Sequence, residues 1–448
     1  MNTITVLTPT GTLGYGFGDE ALARGLAMGA DVIAVDAGST DPGPHYLGSG
    51  ETLVSRFSTK KELRKLIRAG REKNIPLVVG SAGGAGTKAH VDWTADIVRE
   101  IAREDGLHFK LATIYSDVPI ERAKAAVRAG EVEDFEAGFE LTEGLLDETV
   151  SLVAQMGFEP IDAALKAGAD VVIAGRACDD CTIAAFPISK GGDVANAIHM
   201  GKILECGAFS AEPFAMDVML GILGPDHFHL EPGSEKRRAS IASVAAHSLY
   251  ERENPYKQAG PGHVLDLEKC AFEQAGERRV KVTGAVSHDT PDYWVKLEGA
   301  RIIGYRSICV AGIRCPSMMP VLDEILEETR AAVVEYFEDP TLKVLFHVYG
   351  RDGVMGALEP EAGQRGHEIG LVIETIAGDQ ELAHAACHNA SGRLLHLHYE
   401  NQYNTSGNLA FLYSPSEIDA GPAYVFSAYH LMKLTGPMEI FPTRIEDL

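Results

Sequence analysis

The chain has no apolar run approaching the roughly 20 residues that a membrane-spanning helix needs. Its opening, Met1-Asn2-Thr3-Ile4-Thr5-Val6-Leu7, has neither a basic segment nor an apolar core of signal-peptide length. It reads as a first strand, and a cytoplasmic location is expected. Basic residues are scarce, with 40 Lys and Arg against 64 Asp and Glu and a net charge of −24. With no basic, aromatic-rich patch either, that balance excludes nucleic acid as a partner. It leaves a small anionic substrate open, because a local Arg and helix termini dominate the field inside a pocket. Seven cysteines, an odd and scattered set, do not form a disulfide framework and point to reduced thiols. No Gly-Lys-Ser/Thr follows the main glycine turn, no clean G-x-G-x-x-G is present, and no H-E-x-x-H occurs. Kinase and dehydrogenase readings fall behind on those absences.

What is present is a soluble-type composition over 448 residues, 45% apolar and 23% charged. That length exceeds what one hydrophobic core usually holds, so two or more domains are expected. Short apolar runs at 4–7, 32–35, 77–79, 110–114 and 171–174 are each followed by a glycine or polar turn and a helical pattern. Repeated βα units of this kind predict an α/β fold with a mostly parallel sheet, doubly wound or alternatively a βα barrel. The texture changes around 232–262, and strand-like stretches then mix with helices near 320–337 and from 380, predicting a second, smaller α+β domain. The expected division is an α/β ligand-binding domain at 1–230, a connecting segment at 231–265 and an α+β domain at 266–448. One helix is expected at 60–73, opened by a Thr59/Glu62 capping box. The segments Gly29-Ala30-Asp31 and Gly168-Ala169-Asp170 echo each other between a helix end and a strand.

Chemistry is expected beyond the carboxyl ends of the strands. The turn Gly80-Ser81-Ala82-Gly83-Gly84-Ala85-Gly86-Thr87 lies between a buried strand and a helix start. Backbone amides there, with the helix N-terminus, suit an anion, and Ser81, Gly83, Gly84 and Gly86 are the candidate ligand-binding residues. The same rim carries Asp36, Asp117, Arg176 and Asp179: Arg176 and Asp179 for binding, Asp36 and Asp117 as candidate bases. Plainer roles exist for each, a helix cap for Asp117, turn support for Asp36 and a structural ion pair for Arg176. Cys178-Asp179-Asp180-Cys181 is a C-x-x-C without a second pair, and it reads as two ordinary buried thiols. His384 and His388 are four apart, and His227/His229 and His396/His398 alternate. A divalent metal is therefore a possible cofactor, and a metal-dependent hydrolase an alternative activity. In Ser243-Val244-Ala245-Ala246-His247-Ser248-Leu249-Tyr250-Glu251, His247 and Glu251 are i, i+4 on a presumed helix, which suits a general base and its carboxylate support.

At this cluster the chain resembles the acyclic terpene utilisation protein family of bacterial citronellol- and geraniol-degrading pathways. The resemblance rests on the strand–glycine segment at 80–87, Gly175-Arg176, Ile203-Leu204-Glu205-Cys206-Gly207-Ala208, Leu230-Glu231-Pro232, the 243–251 cluster and Gly260-Pro261-Gly262-His263-Val264-Leu265-Asp266. It implies cytoplasmic catabolism of a carboxylic acid or acyl thioester, and it transfers no catalytic residue. The expected activity is proton abstraction next to a carbonyl, as in a lyase, hydratase or isomerase. The expected assembly is a homo-oligomer, with a small partner subunit possible; the alternative is a non-catalytic binding subunit of a two-chain complex.

Overall fold

In a computed structural model of the chain, residues 3–39, 41–361, 364, 366–403 and 405–448 are described. The chain divides into two compact units, Met1–Arg301 with Phe426–Leu448, and Ile302–Val425. The first unit is longer than the 1–230 read from the sequence. Residues 231–301 stay in it because His227–Pro232 and Val280–Thr283 are strands of its main sheet.

That sheet runs in the order Ala271–Gln274, Val280–Thr283, His227–Pro232, Met219–Leu223, Ile4–Thr8, Val32–Asp36, Leu77–Gly80, Val171–Ala174, Lys110–Ile114, Thr443–Asp447. The five expected βα strands form its parallel centre, in registers such as Ile33 with Leu77 and Ile114 with Ala174. The strands outside them are antiparallel, so the sheet is parallel only in the middle. It is open at both edges, and no closed barrel forms among the described residues. Alternation along each central strand feeds two cores. Leu7, Ile33, Val35, Val79 and Ile173 meet Leu63, Leu66, Ile97 and Ile101 on one face. Val6, Val32, Ala34, Val78 and Val172 meet Ile161, Ile183, Ile198 and Ile203 on the other. Burial on both faces explains why these strands read as continuous apolar runs.

The Gly-Ala-Asp echo has a shared physical cause. Gly29 and Gly168 both end a helix at positive φ, +90° and +87°. Asp31 then accepts the Thr5 amide at 2.7 Å and Asp170 accepts the Lys110 amide at 2.8 Å. Each aspartate pins the first turn-side amide of a neighbouring strand. The helix expected at 60–73 starts earlier, at Arg56, because Ser55 rather than Thr59 is its cap, accepting from the Ser58 amide. Thr59 lies inside the helix and bonds back to the Ser55 carbonyl, while Glu62 accepts the Gly14 amide.

In the second unit, residues 305–313 pair antiparallel with Ile369–Ala377, which pairs with Lys343–Tyr349. Helices Leu322–Phe337 and Gln380–His396 share an apolar core with these strands, with Leu322, Ile325, Leu371, Ile373, Ala386 and Leu394 buried. This is the α+β pattern expected there. No helix among the described residues is long and apolar enough to cross a membrane.

Candidate functional site

Three strand-end loops converge in the first unit. Asp36 ends one strand, Ser81 follows Leu77–Gly80, and Arg176 follows Val171–Ala174. Glycine lets these loops approach backbone to backbone. A Cβ on Gly38 would lie 1.9 Å from the Gly84 carbonyl oxygen, and one on Gly86, at φ +67°, would lie 2.1 Å from the Arg176 nitrogen. Five of the loop's amides bond within the protein itself. Ser81 donates to Gly175 O and Ala82 to Ala174 O, both at 3.0 Å; Gly84 donates to Ser81 O and Gly86 to Ala82 O, both at 3.1 Å. Ala85 donates to the His90 ring at 3.3 Å. Of the residues expected to cradle an anion, Ser81, Gly84 and Gly86 donate their amides to loop carbonyls, and the Gly83 carbonyl accepts from Leu53. Ser81 itself sits at φ +46°, a strained conformation for a side chain, fully buried.

That strain aims the Ser81 hydroxyl at Arg176, which donates to it from Nη1 at 3.0 Å. Arg176 is buried and four of its five N–H donors are taken by protein groups. Nε donates to Glu298 Oε2 at 3.1 Å, Nη2 to Glu298 Oε1 at 3.4 Å, and Nη1 to Asp179 Oδ1 at 3.4 Å. Burial works against the arginine's charge, but Glu298, Asp179 and Asp36 more than offset it, so its pKa rises. Gln155 and Lys296 hold Glu298 from behind, at 2.9 and 3.4 Å. Arg176 thus binds protein carboxylates rather than standing free for a substrate.

Two of the carboxyls around it face a cavity of about 260 Å³ lined by Asp36, Asp41, Asp179, Glu205, Tyr250 and Glu251, among others, with no Lys or Arg in its lining. Asp36 Oδ2 accepts the Gly38 amide at 3.1 Å, while its Oδ1 is buried with no partner. Burial, reinforced by Asp179, pushes the Asp36 carboxyl well above the usual range, with Arg176 pulling the other way. Burial raises Asp179 as well, again opposed by Arg176. Two further lining carboxylates share a cation that is not itself in the lining: Lys202 donates to Glu205 at 2.5 Å and to Glu251 at 2.9 Å. Burial drives Glu205 well upward despite Lys202, and its Oε2 is also buried without a partner.

The 243–251 cluster differs from its sequence reading. The helix ends at Ser248, and Glu251 sits beyond it at φ +56°, so His247 and Glu251 are not one turn apart on a helix. Glu251 lines the cavity and pairs with Lys202; His247 stacks on Tyr250 with ring centres 5.2 Å apart and is not among the lining residues. Burial, with Lys202, lowers the His247 pKa to about 4, and its Nε2 has no partner. Asp117 is also absent from the lining. Its carboxylate accepts the Lys88 amide at the start of helix Lys88–Asp105, and burial raises its pKa. Thr87 caps that helix, accepting from the His90 amide, and the helix at Ile120–Ala129 has Pro119 at its cap position, so Asp117 is the cap of neither.

Among the described residues no metal-competent group of three includes a histidine; His384 pairs with Asp419 at 2.9 Å and His388 with Glu417 at 3.3 Å. Sequence reasoning passed over Lys202, Glu205 and Glu298. Lys202 and Glu205 had a visible signal, two charges three apart at the end of the otherwise apolar run 194–204. Glu298 had none, lying 122 residues from Arg176.

The arrangement offers buried carboxyls whose ionisation burial resists, beside cations that oppose the shift. That combination supplies hydrogen-bond donors to a developing oxyanion and a base within one cavity. No curated protein gives a significant match to the chain. The family described as acyclic terpene utilisation family protein AtuA matches residues 56–225 and 232–403, most of the chain. The chain belongs to the acyclic terpene utilisation family.

Proposed function

We propose that the protein is a catabolic enzyme that moves a proton at the carbon beside a carbonyl, as a lyase, hydratase or isomerase does. One observation carries the reading: Asp36 ends one and Asp179 follows the other of the two strands on either side of Leu77–Gly80, Arg176 donates to Asp179, and both carboxyls line the same cavity. Asp36, whose ionisation burial resists, is the donor to the carbonyl oxygen as negative charge develops there, with Glu205 as a second donor. Asp179, tied to Arg176, is the base. The acid lining disfavours a free carboxylate and favours a neutral acyl thioester carbonyl. At about 260 Å³ the cavity lies below the range of about 300–1,000 Å³ typical of ligand pockets, so it suits a short acyl head. Membership of the acyclic terpene utilisation family supports a substrate drawn from acyclic terpene breakdown. A doubly wound sheet with its site at the strand carboxyl ends fits this reading. So does a cytoplasmic setting, since all seven cysteines are free thiols. The test is exchange of the α-proton with deuterated solvent on a panel of acyl thioesters, read by mass spectrometry. Asp36→Asn and Asp179→Asn, checked for folding, should each slow exchange by about 10²–10⁴-fold. Exchange at wild-type rates in both variants sinks the assignment.

A further inference from the structure

The C-x-x-C opens the helix Asp179–Ser189, with Cys178 as its cap residue. That turn brings Cys178 Sγ, an Asp180 carboxylate oxygen and Cys181 Sγ within 4.8 Å of one another, the one such group of three among the described residues. Cys181 is fully buried, Asp180 is 5% exposed and Cys178 is half-buried. We propose that Cys178, Asp180 and Cys181 bind a thiophilic divalent cation, zinc, with a fourth position open to water.

The spacing suits the ion. Zinc–thiolate bonds of about 2.3 Å in a tetrahedron put two sulfurs roughly 3.8 Å apart, inside the observed bound. Three ligands drawn from four successive residues need only the one helical turn that already exists. The surroundings also lack a charge that zinc would supply sense to. Arg252 has Nε, Nη1 and Nη2 all buried with no partner, and Asp180 leads the opposite charges acting on it. Two thiolates, one carboxylate and Zn²⁺ sum to one negative charge, which Arg252 balances. Asp180 is already oriented, accepting from Gln258 Nε2 at 2.8 Å. On the sulfur side, Tyr293 donates to Glu159 at 2.8 Å, and the Glu159 charge bears on Cys181. These are outer contacts of the kind that orient metal ligands. Binding releases two protons, one from each thiol, so affinity falls as pH falls. The site is separate from the proton-transfer reading, though it would lock the turn that presents Asp179 to the cavity.

The experiment loads the reduced full-length protein with Zn²⁺ or Co²⁺, dialyses it, and measures metal by elemental analysis and thiolate-to-cobalt charge transfer by absorbance. One equivalent with the charge-transfer band is expected. Cys178→Ser and Cys181→Ser should lose both, Asp180→Asn should be substoichiometric, and Cys315→Ser in the second unit should match wild type. A reduced, folded wild type that takes up neither ion overturns the proposal, as does unchanged stoichiometry in both cysteine variants. A Cys178–Cys181 disulfide that forms equally in the presence of zinc overturns it too. If the serine variants do not fold, the presence or absence of the cobalt–thiolate band in wild type decides the matter.

Discussion

Breaking the Arg176–Glu298 pair gives the sharpest test of how the site is held. Both side chains are almost wholly buried, at 4% and 2% exposure, and they share two hydrogen bonds at 3.1 and 3.4 Å. Arg176→Met leaves Glu298 as a buried charge. Removal of one partner from such a pair costs about 3–5 kcal/mol. Gln155 and Lys296 remain to support Glu298, which puts the cost at the lower end, about 3 kcal/mol. The first unit has about 320 residues, and at ~2.1 cal/mol/K per residue its unfolding entropy is roughly 0.7 kcal/mol/K, so Tm should fall by about 4 °C. Glu298→Gln should cost a similar amount, since it strands Arg176. The double variant Arg176→Met/Glu298→Gln should recover much of the loss, with a coupling of at least about 1.5 kcal/mol in the cycle. The pH dependence has a definite sign. Arg176 lowers the pKa values of Asp36 and Asp179, which burial already holds above the usual range. Without it both rise further. A carboxyl raised in the fold keeps its contribution below the unfolded pKa and loses it as pH rises toward the folded value. The Arg176→Met deficit should therefore shrink in acid and grow from the ordinary carboxylate range upward. Calorimetry or chemical denaturation from pH 4 to 8 measures it. Strictly additive single losses, with a deficit independent of pH, would show that the pair is not the keystone of the carboxyl cluster.

Other outcomes follow from single groups. Asp36→Asn removes a carboxyl whose ionisation the fold resists, so the variant should be more stable than wild type at neutral and alkaline pH and show a flatter pH profile, read as Tm; a lower Tm throughout would contradict the burial argument. Gly86→Ala should prevent folding, since the added Cβ meets the Arg176 nitrogen at 2.1 Å, whereas Gly106→Ala, at φ +62° with open space, should cost about 1–2 kcal/mol; equal expression and Tm would refute the close-packing account. His247, with a pKa of about 4, should stay neutral in an NMR titration down to about pH 5. Because the fold then binds fewer protons than the unfolded chain, its contribution is lost as pH falls from about 6.5 toward 4, and His247→Phe should lose less stability across that window.

The five central strands were legible in the sequence because burial on both faces writes itself as uninterrupted apolar residues. Their ends were legible too, so Asp36, Arg176 and Asp179 could be placed on one rim before any coordinates. The antiparallel flanks were not, because two of their five pairings join segments far apart in the chain, Ile4 with Leu223 and Thr443 with Ile114. The glycine turn was correctly located and its job differed: whether an amide faces a ligand or a neighbouring loop depends on which backbone lies opposite, and here that is residues 174–176. The 247–251 pair failed on one φ value, since a single left-handed residue at Glu251 turns its side chain off the helix and into the cavity. Local spacing thus determined which residues stand at the strand ends and in the first turn of the helix at 179. Only tertiary structure decided the charges around them, because a carboxyl's pKa and an arginine's partner are set by what burial removes and by groups such as Glu298 that arrive from far along the chain.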